Sequence, residues 1–279
     1  GKAEEIILHL LYQLIIILLA TRIMTALVRR IGQTAVSGEI IAGILLGPSF
    51  LMALAPETMH RIFDPSTSTI FVGLAQVGLI LLMFQIGLEF EFRTHLGEDR
   101  KPIFFISAAG LIVPFVVGYA SAPWFYARLN DLKPDLLGFR LFFAVAMSIT
   151  AIPVLGRIFM ELRLARTRTA ALTIGAAAID DVAGWLVLGG ICVLVAGQFS
   201  LSWAAPRLAG LAVYLAAVFF VVRPLLKKWV GAHLATHGEL KTHAVQVLLL
   251  VLFGSAVVTS NLGVFAVIGG FAIGVALHD

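Results

Sequence analysis

Residues 167–196, TRTAALTIGAAAIDDVAGWLVLGGICVLVA, form a long apolar run with the neighbouring aspartates Asp180 and Asp181 near its centre. A helix of about 20 residues crosses the roughly 30 Å hydrocarbon core of a membrane. The run therefore predicts a spanning helix with both carboxyl groups near mid-depth. A charged side chain at that depth costs about 3 kcal/mol even on the lenient insertion scale. Two adjacent charged side chains at mid-depth therefore indicate either a functional site or a basic partner on another helix.

The composition of the whole chain is that of a membrane protein. Of the 279 residues, 60% are hydrophobic and 13% are charged, and the mean hydropathy is +1.00. A soluble domain carries about 25% charged residues. Although the pI is near 9.5, the basic residues lie between apolar runs rather than in one patch. We therefore expect contact with membrane lipid and no nucleic-acid partner.

The apolar runs predict an all-α polytopic membrane protein. They are continuous rather than alternating, which argues against strands. Measured against the length of a spanning helix, the sequence holds about nine transmembrane helices, with these predicted bounds: 6–28, 35–54, 67–91, 103–122, 138–160, 167–196, 203–224, 242–260 and 263–278.

The distribution of basic residues predicts the orientation in the membrane. One set of helix ends carries 13 Lys and Arg residues, and the opposite set carries 6. Cytoplasmic loops are enriched in these residues, so the first set is expected in the cytoplasm and the N-terminus outside. We expect a bacterial inner membrane. Because the first residue is Gly1 rather than Met, we also expect a fragment or a processed chain.

The span before the aspartates is predicted to be broken between Ser148 and Pro153. Proline removes one backbone donor, and its ring clashes with the carbonyl of Ile149 four residues earlier. Interrupted helices in lipid occur where protein or a water-filled cavity covers the freed carbonyls. Hydroxyl and carbonyl oxygens, such as those around Ser148 and Thr150, are ligands suited to an alkali cation. The alternative interpretation is a proline kink with no ligand role.

No Lys or Arg lies at a depth matching Asp180 and Asp181 in the predicted helices. A buried ion pair would therefore need a partner from outside this sequence. A carboxylate in a dry interior can hold a proton or a desolvated alkali cation, but not both well. Competition between the two for one site is the simplest mechanism of exchange. An intramembrane aspartyl protease is disfavoured, because these carboxyl groups are sequence neighbours about 100° apart on one helix.

A weak internal repeat relates the second predicted helix to the ninth. Gly38–Leu46 reads GEIIAGILL, and Gly269–Leu277 reads GGFAIGVAL. The first and sixth residues of both stretches are glycine, and the aliphatic residues that follow the second glycine match at the same offset. The copies lie seven helices apart along the chain, and an odd number inverts the second copy in the membrane. Inverted repeats are typical of secondary transporters, whose ion site lies near the midplane where interrupted helices meet.

Two further patterns predict local contacts. Arg157 and Glu161 lie one turn apart on a predicted helix and are expected to pair with each other. Glycines four residues apart predict close helix packing, either within the protein or across a dimer; these are Gly43 with Gly47, and Gly270 with Gly274.

Three stretches together resemble the monovalent cation:proton antiporter-2 family. They are SGEIIAGILLGPSFL (37–51), VGLILLMFQIGLEFEF (77–92) and the stretch 146–188 that contains both the predicted break and the aspartates. The resemblance implies the sodium/proton antiporter fold with inverted repeats. It also implies a homodimer, in which the helices carrying the aspartates slide like an elevator against a fixed interface.

The resemblance also implies roles for individual residues. Asp181 would be the carboxylate that binds the alkali cation and the proton, and Asp180 would assist it. Thr150, with Ser148 and the backbone at Ala151, would supply oxygens at the crossing of unwound helices, and Pro153 would mark the helix break. No cofactor and no enzymatic activity are implied.

On this mapping residues 1–279 form a partial exchanger domain. Interface helices occupy 1–97, core helices with the break and the Asp-Asp helix occupy 98–200, a linker helix occupies 201–230, and the second repeat begins in 231–279. In the family fold a helix with a basic residue near the aspartates and a second interrupted helix follow. We therefore expect a C-terminally truncated chain whose second repeat is incomplete.

The function expected from the sequence is antiport of Na+ or K+ against H+, contributing to pH homeostasis. The sequence leaves the choice of ion open, because it does not fix the size of the oxygen cage. Two alternatives on the same fold are a glutathione- or ligand-gated potassium efflux system and a membrane sensor that does not transport.

Overall fold

The structure of the chain is a computed structural model that describes residues 2–47, 50–57, 62–63, 65–89, 100–129, 135–195, 201–239, 241–263 and 265–278. Throughout these residues the regular structure is helical, which confirms the predicted all-α class. The predicted helix ends at residues 91 and 196 and the domain boundaries at 97 and 200 lie outside the described residues.

The main helices follow the predicted runs closely. They are α1 (Lys2–Arg30), α2 (Ala35–Leu46), the short α3 (Leu51–Leu54), α4 (Pro65–Glu89), α5 (Arg100–Tyr126), α6 (Leu136–Ser148), α7 (Ile152–Glu161), α8 (Arg168–Val195), α9 (Leu201–Ala217), α10 (Arg223–His237), α11 (Thr242–Asn261) and α12 (Ala266–Leu277). Within the described residues, six stretches are long and apolar enough to cross a membrane, and α2 and α12 are shorter apolar helices.

The predicted break in the fifth span is confirmed. Helix α6 ends at Ser148, and α7 begins at Ile152. Between them the backbone is extended, with φ −76° and ψ 127° at Ile149 and φ −88° and ψ 100° at Ala151. Pro153 occupies the first turn of α7, where the missing amide proton costs nothing because no intrahelical acceptor exists for it.

Two predicted helix bounds are wrong. The run 35–54 is two helices, α2 and α3, because the chain leaves helical geometry at Gly47 (φ −76°, ψ −179°). The run 203–224 does not end at Pro224: a π-helical turn, Val218–Val222, joins α9 directly to α10, and the helix continues to His237. A π turn inserts one residue into the helical repeat, so the helix passes the proline without stopping.

The core lies where α4, α7, α8 and α12 meet. Met83 and Ile86 of α4 pack with Ile152 of α7 and Ile174 of α8, and each is at most 3% exposed. The side chains around them are also apolar, so van der Waals packing rather than polar contact holds the core together. This core seats the first turn of α7 against the helix that carries the aspartates.

Small residues allow the closest helix contacts. A Cβ at Gly274 would overlap the backbone oxygen of Phe84, and one at Gly270 would lie 2.7 Å from that of Ile80. The predicted packing through Gly270 and Gly274 is therefore confirmed, and α4 is the partner. For Gly43, packing within the chain is not seen: in the described part of the chain no neighbouring element approaches within 4 Å of its Cβ position, and packing across a dimer stays a prediction.

The helix bounds support the predicted repeat. Helices α2 and α12 are both 12 residues long, and the second follows the first by 231 residues. Helices α1 and α11, which precede them, end at the same offset. The intervening turns match too, because Gly32 and Gly263 both have a φ of +75°, a backbone conformation that glycine adopts at little cost.

The contact between the helices of each pair also repeats. A Cβ at Gly38 would lie 2.6 Å from the Cα of Thr25, and a Cβ at Gly269 would lie 2.8 Å from the Cα of Ala256. These two glycines, like the two residues they face, are 231 positions apart. The pairs α1–α2 and α11–α12 are therefore two copies of one helical hairpin.

The predicted pair between Arg157 and Glu161 is wrong. Arg157 lies 2.6 Å from Glu39 of α2. Glu161 lies 3.1 Å from Arg29 of α1, and its two carboxylate oxygens accept the backbone amide of Ala35 at 2.9 and 2.8 Å. The first amides of a helix lack intrahelical acceptors, so Glu161 caps α2 from outside. Both side chains link α7 to the α1–α2 hairpin.

Candidate functional site

Asp180 lies near the middle of α8 and is almost completely buried, with 4% of its surface exposed. Its Oδ1 accepts a hydrogen bond from the Ser107 hydroxyl of α5, which is itself 5% exposed. A buried carboxyl group needs hydrogen bonds to offset its lost hydration. Ser107 therefore provides the contact that makes this burial tolerable.

The second oxygen of Asp180 faces a glycine. A Cβ built on Gly110, one turn beyond Ser107 on α5, would lie 3.4 Å from Asp180 Oδ2. The missing side chain leaves space beside this oxygen. Helix α5 thus donates a hydroxyl to one carboxylate oxygen and presents a glycine to the other.

Asp181 has a different environment from its neighbour. It is half-buried, and within the described part of the chain neither a hydrogen-bond donor nor a basic side chain contacts its carboxyl group. Adjacent residues on a helix point about 100° apart, so Asp181 cannot share the α5 wall that holds Asp180. This carboxylate is free to accept a ligand.

The broken span touches α8 one turn beyond the aspartates. A Cβ at Gly184 would lie 3.0 Å from Cγ1 of Ile149, the first residue of the extended segment. A larger residue at 184 would push the segment away from the aspartates. The structure therefore places the break and the aspartate pair on neighbouring levels of the same helix interface.

The predicted oxygen ligands lie at the end of α6, for Ser148, and in the extended segment 149–151, for Thr150 and Ala151. They do not contact the aspartates directly. Ser148 is buried, at 3% exposed, and its hydroxyl donates to the Val145 carbonyl at 3.0 Å. Thr150 is half-buried, and Ala151 is exposed. The Ala151 carbonyl accepts the amide of Leu155 at 3.1 Å, so it is engaged in the first turn of α7.

Sequence reasoning missed Ser107. The contact joins residues 73 positions apart, and a single serine in the apolar stretch of α5 is unremarkable by itself. The available signal was the run Ser107–Gly110, four small residues amid large apolar ones. Such runs mark close helix approach in membranes, but they do not name the partner helix.

The oxygen donors suit a hard cation, such as an alkali cation, rather than a soft transition metal. Carboxylate, hydroxyl and carbonyl oxygens are hard ligands that bind such cations. Groups of three or more His, Cys, Asp or Glu side chains arranged for a metal ion do not occur in the described residues. A cation bound here would keep part of its water shell or gain oxygens from the extended segment.

A cavity of about 490 Å³ lies elsewhere, between α9, the π turn, α11 and α12. Its walls are apolar apart from Tyr214 and Ser255, whose hydroxyl oxygens are 2.5 Å apart. Ser255 also donates to the Gly269 carbonyl at 2.9 Å. These hydroxyl groups satisfy one another, so this cavity lacks the open carboxylate that distinguishes the region around Asp181.

Comparison with known proteins gives several relatives. Over 276 residues, 97% of this chain and 66% of the relative, the chain is 34% identical to the Na+/H+ antiporter NhaS4 of Synechocystis sp.. It is 35% identical to cation/H+ antiporter 17 of Arabidopsis thaliana and 30% identical to K+/H+ antiporter 1 of Saccharomyces cerevisiae, covering 95% and 96% of this chain. It spans 32% and 31% of those two relatives.

The family model for the transmembrane domain of sodium/hydrogen exchangers matches residues 15–279. The match includes the broken span, the aspartate helix, the second copy of the hairpin and the part of the first copy that follows residue 14. The chain belongs to the sodium/hydrogen exchanger family of integral membrane transporters.

Proposed function

We propose that this protein exchanges a monovalent cation, Na+ or K+, for protons across the membrane at the Asp180–Asp181 pair. The observation that carries the proposal is the contrast between the two carboxyl groups. Asp180 is buried and held by Ser107, whereas Asp181 is open to a ligand beside a broken helix. Relatives named as Na+/H+ and K+/H+ antiporters support this reaction class.

Competition at Asp181 would couple the two fluxes. A carboxylate in a low-dielectric interior interacts strongly with any cation, because solvent no longer screens the charge. A bound proton neutralises the group and removes the attraction for Na+ or K+. The site would therefore carry either the cation or the proton, and the binding of one would release the other.

Helix α8 and the extended segment 149–151 would form the ion path. The segment contains Thr150 and backbone oxygens, and its Ile149 side chain packs against Gly184, one helical turn beyond the aspartates on α8. Oxygens in an interrupted helix can replace water molecules around a cation near the membrane midplane. We propose that Thr150 and Ser148, with the Ala151 backbone, contact the cation when the segment closes on Asp181.

Alternating access requires movement of this site relative to the rest of the protein. We propose an elevator-type motion in which α5–α8 carry the aspartates past the remaining helices. The homodimer and the outside position of the N-terminus belong to the same proposal. The homodimer would give the moving helices a fixed partner to move against, and the position of the N-terminus would define the orientation of that movement in the membrane.

The test is proton flux in vesicles containing the full-length protein. A pH-sensitive dye is quenched by an imposed pH gradient, and Na+, K+ or choline is then added to separate samples. Exchange predicts recovery of fluorescence with Na+ or K+ and none with choline, with a rate that saturates as the cation concentration rises.

Two other results would contradict the proposal. Cation currents that flow without proton movement would indicate a channel or a gated potassium efflux system. Binding of Na+ or K+ with no flux of either ion, in protein that elutes as a single folded species, would indicate a sensor.

A further inference from the structure

We propose that Ser107 of α5 is a positioning residue for the exchange site, acting through Asp180, whose second oxygen faces Gly110. The inference rests on the proposed function. It extends the ion site to a third helix, because the sequence motifs place the site only on the broken span and α8.

The first argument is the burial of the contact. Ser107 and Asp180 are 5% and 4% exposed, and the serine hydroxyl donates to Asp180 Oδ1. No other hydrogen bond to the Asp180 carboxyl group occurs in the described residues. Removing the only donor to a buried carboxyl group has a large effect, because hydrogen bonds to charged groups are about twice as strong as neutral ones.

The second argument is the versatility of the hydroxyl group. A serine hydroxyl can donate to a carboxylate and can also accept from a protonated carboxyl group. Ser107 can therefore remain bonded to Asp180 whichever form is present. An amide or ammonium donor would favour the charged form alone, so serine is suited to a carboxyl group whose neighbour changes occupancy during transport.

The third argument is the orientation of α8. A hydrogen bond to Asp180 fixes the rotation of this helix relative to α5, and Asp181 then points about 100° away. Ser107 therefore sets the direction in which the exchanging carboxylate faces. Gly110 faces Oδ2, and a methyl group added there would lie 3.4 Å from it, at the near limit of ordinary van der Waals contact.

The experiment compares variants of the full-length protein in the dye assay with Na+ and K+. Ser107→Ala should raise the apparent KM for the cation roughly tenfold, the change expected from losing one charge-assisted hydrogen bond. The maximal rate should stay within about twofold. Ser107→Thr keeps the hydroxyl and should restore KM. Gly110→Ala should raise KM by a smaller factor.

Two matched controls separate this effect from general damage to the helices. Ser121→Ala removes another hydroxyl from α5, one that donates to the Gly118 carbonyl at 3.2 Å and does not touch the aspartates. Gly254→Ala adds a methyl group on α11 at a position that no other described part of the chain approaches within 4 Å. Both controls should exchange with the wild-type KM.

A second readout does not depend on transport. The infrared carboxyl band of Asp180, identified by its loss in Asp180→Asn, should shift in Ser107→Ala and return in Ser107→Thr. Absence of exchange in the wild type would reject the proposed function, and the band shift would still decide the role of Ser107. A wild-type KM and an unshifted band in folded Ser107→Ala would overturn the inference, as would equal losses in Ser121→Ala.

Discussion

Two prolines occupy the same place in two different interruptions, and the chain treats them differently. Pro153 is the second residue of α7, and Pro224 is the second residue of α10. Before Pro153 the backbone is extended over three residues. Before Pro224 it stays helical and only widens into the π turn Val218–Val222, with φ −66° and ψ −45° at Val222.

The surroundings explain this difference. The π turn packs Val218 against Ile273 and other apolar residues of α12, where free backbone groups would be costly. A π turn keeps those groups hydrogen-bonded within the helix. The segment 149–151 instead lies beside the helix that carries Asp180 and Asp181. Proline therefore permits an interruption, and the neighbouring helix determines whether the backbone opens.

The largest effect that tests this comparison is expected from Pro153→Ala. Proline costs about 3 kcal/mol in a helix interior relative to alanine, so the substitution favours a continuous helix through residues 149–151. Closing the segment would remove oxygens from the ion path. We expect the initial rate of cation-dependent proton release to fall by at least about tenfold, a change equivalent to 1.4 kcal/mol.

Pro224→Ala is the matched control for this measurement. It removes a proline from the same helical position beside a turn that is already helical, and exchange should stay close to the wild-type rate. Equal losses in both variants would remove the distinction between the two interruptions. Wild-type exchange in folded Pro153→Ala would reduce the break to a packing kink.

An intermediate effect is expected from Asp180→Asn. The amide oxygen of asparagine can still accept the Ser107 hydrogen bond, so the position of α8 is kept while one charge is lost. We expect partial exchange or an altered ratio of cations to protons, measured by combining the dye assay with isotope uptake. A variant identical to the wild type in both measurements would exclude Asp180 from the site.

The smallest effect concerns the other end of α7, where Glu161 caps α2. Glu161→Ala removes the acceptor of the Ala35 amide, and loss of a helix cap typically costs about 1 kcal/mol. We expect a lower thermal unfolding midpoint in detergent and little change in exchange rate. Glu239→Ala, at an exposed residue just after α10, is the control.

An unchanged midpoint in Glu161→Ala would show that the cap does not stabilise α7 against the α1–α2 hairpin. A loss of exchange as large as that of Pro153→Ala would mean that this end of α7 belongs to the ion path as well.

The fold could be predicted from the sequence because the membrane hydrocarbon imposes a minimum length on each spanning helix. Every such helix therefore appears in the sequence as a long, continuous apolar run. The break was predictable for a similar reason: Pro153 removes a backbone donor, and this effect is local. The π turn was not, because Pro224 has the same local effect, and only packing against α12 decides that the helix continues.

Contacts between helices were the least predictable part of the site. Arg157 and Glu161 have the spacing of a local pair, yet each finds a partner on another helix that the sequence does not place nearby. The contact between Ser107 and Asp180 was missed for the same reason, because it joins two helices that the sequence does not place side by side. The aspartates themselves were visible in the sequence, since two carboxyl groups in a spanning run are costly whatever surrounds them.

The central claim is that Asp181 holds the cation and the proton in turn, and Asp181→Asn tests it most directly. Asparagine has nearly the same shape but neither charge nor an exchangeable carboxyl proton. In vesicles with matched amounts of folded protein, this substitution should abolish proton release driven by Na+ and by K+. Cation-dependent proton release at the wild-type rate would contradict the assignment of Asp181 as the exchanging group.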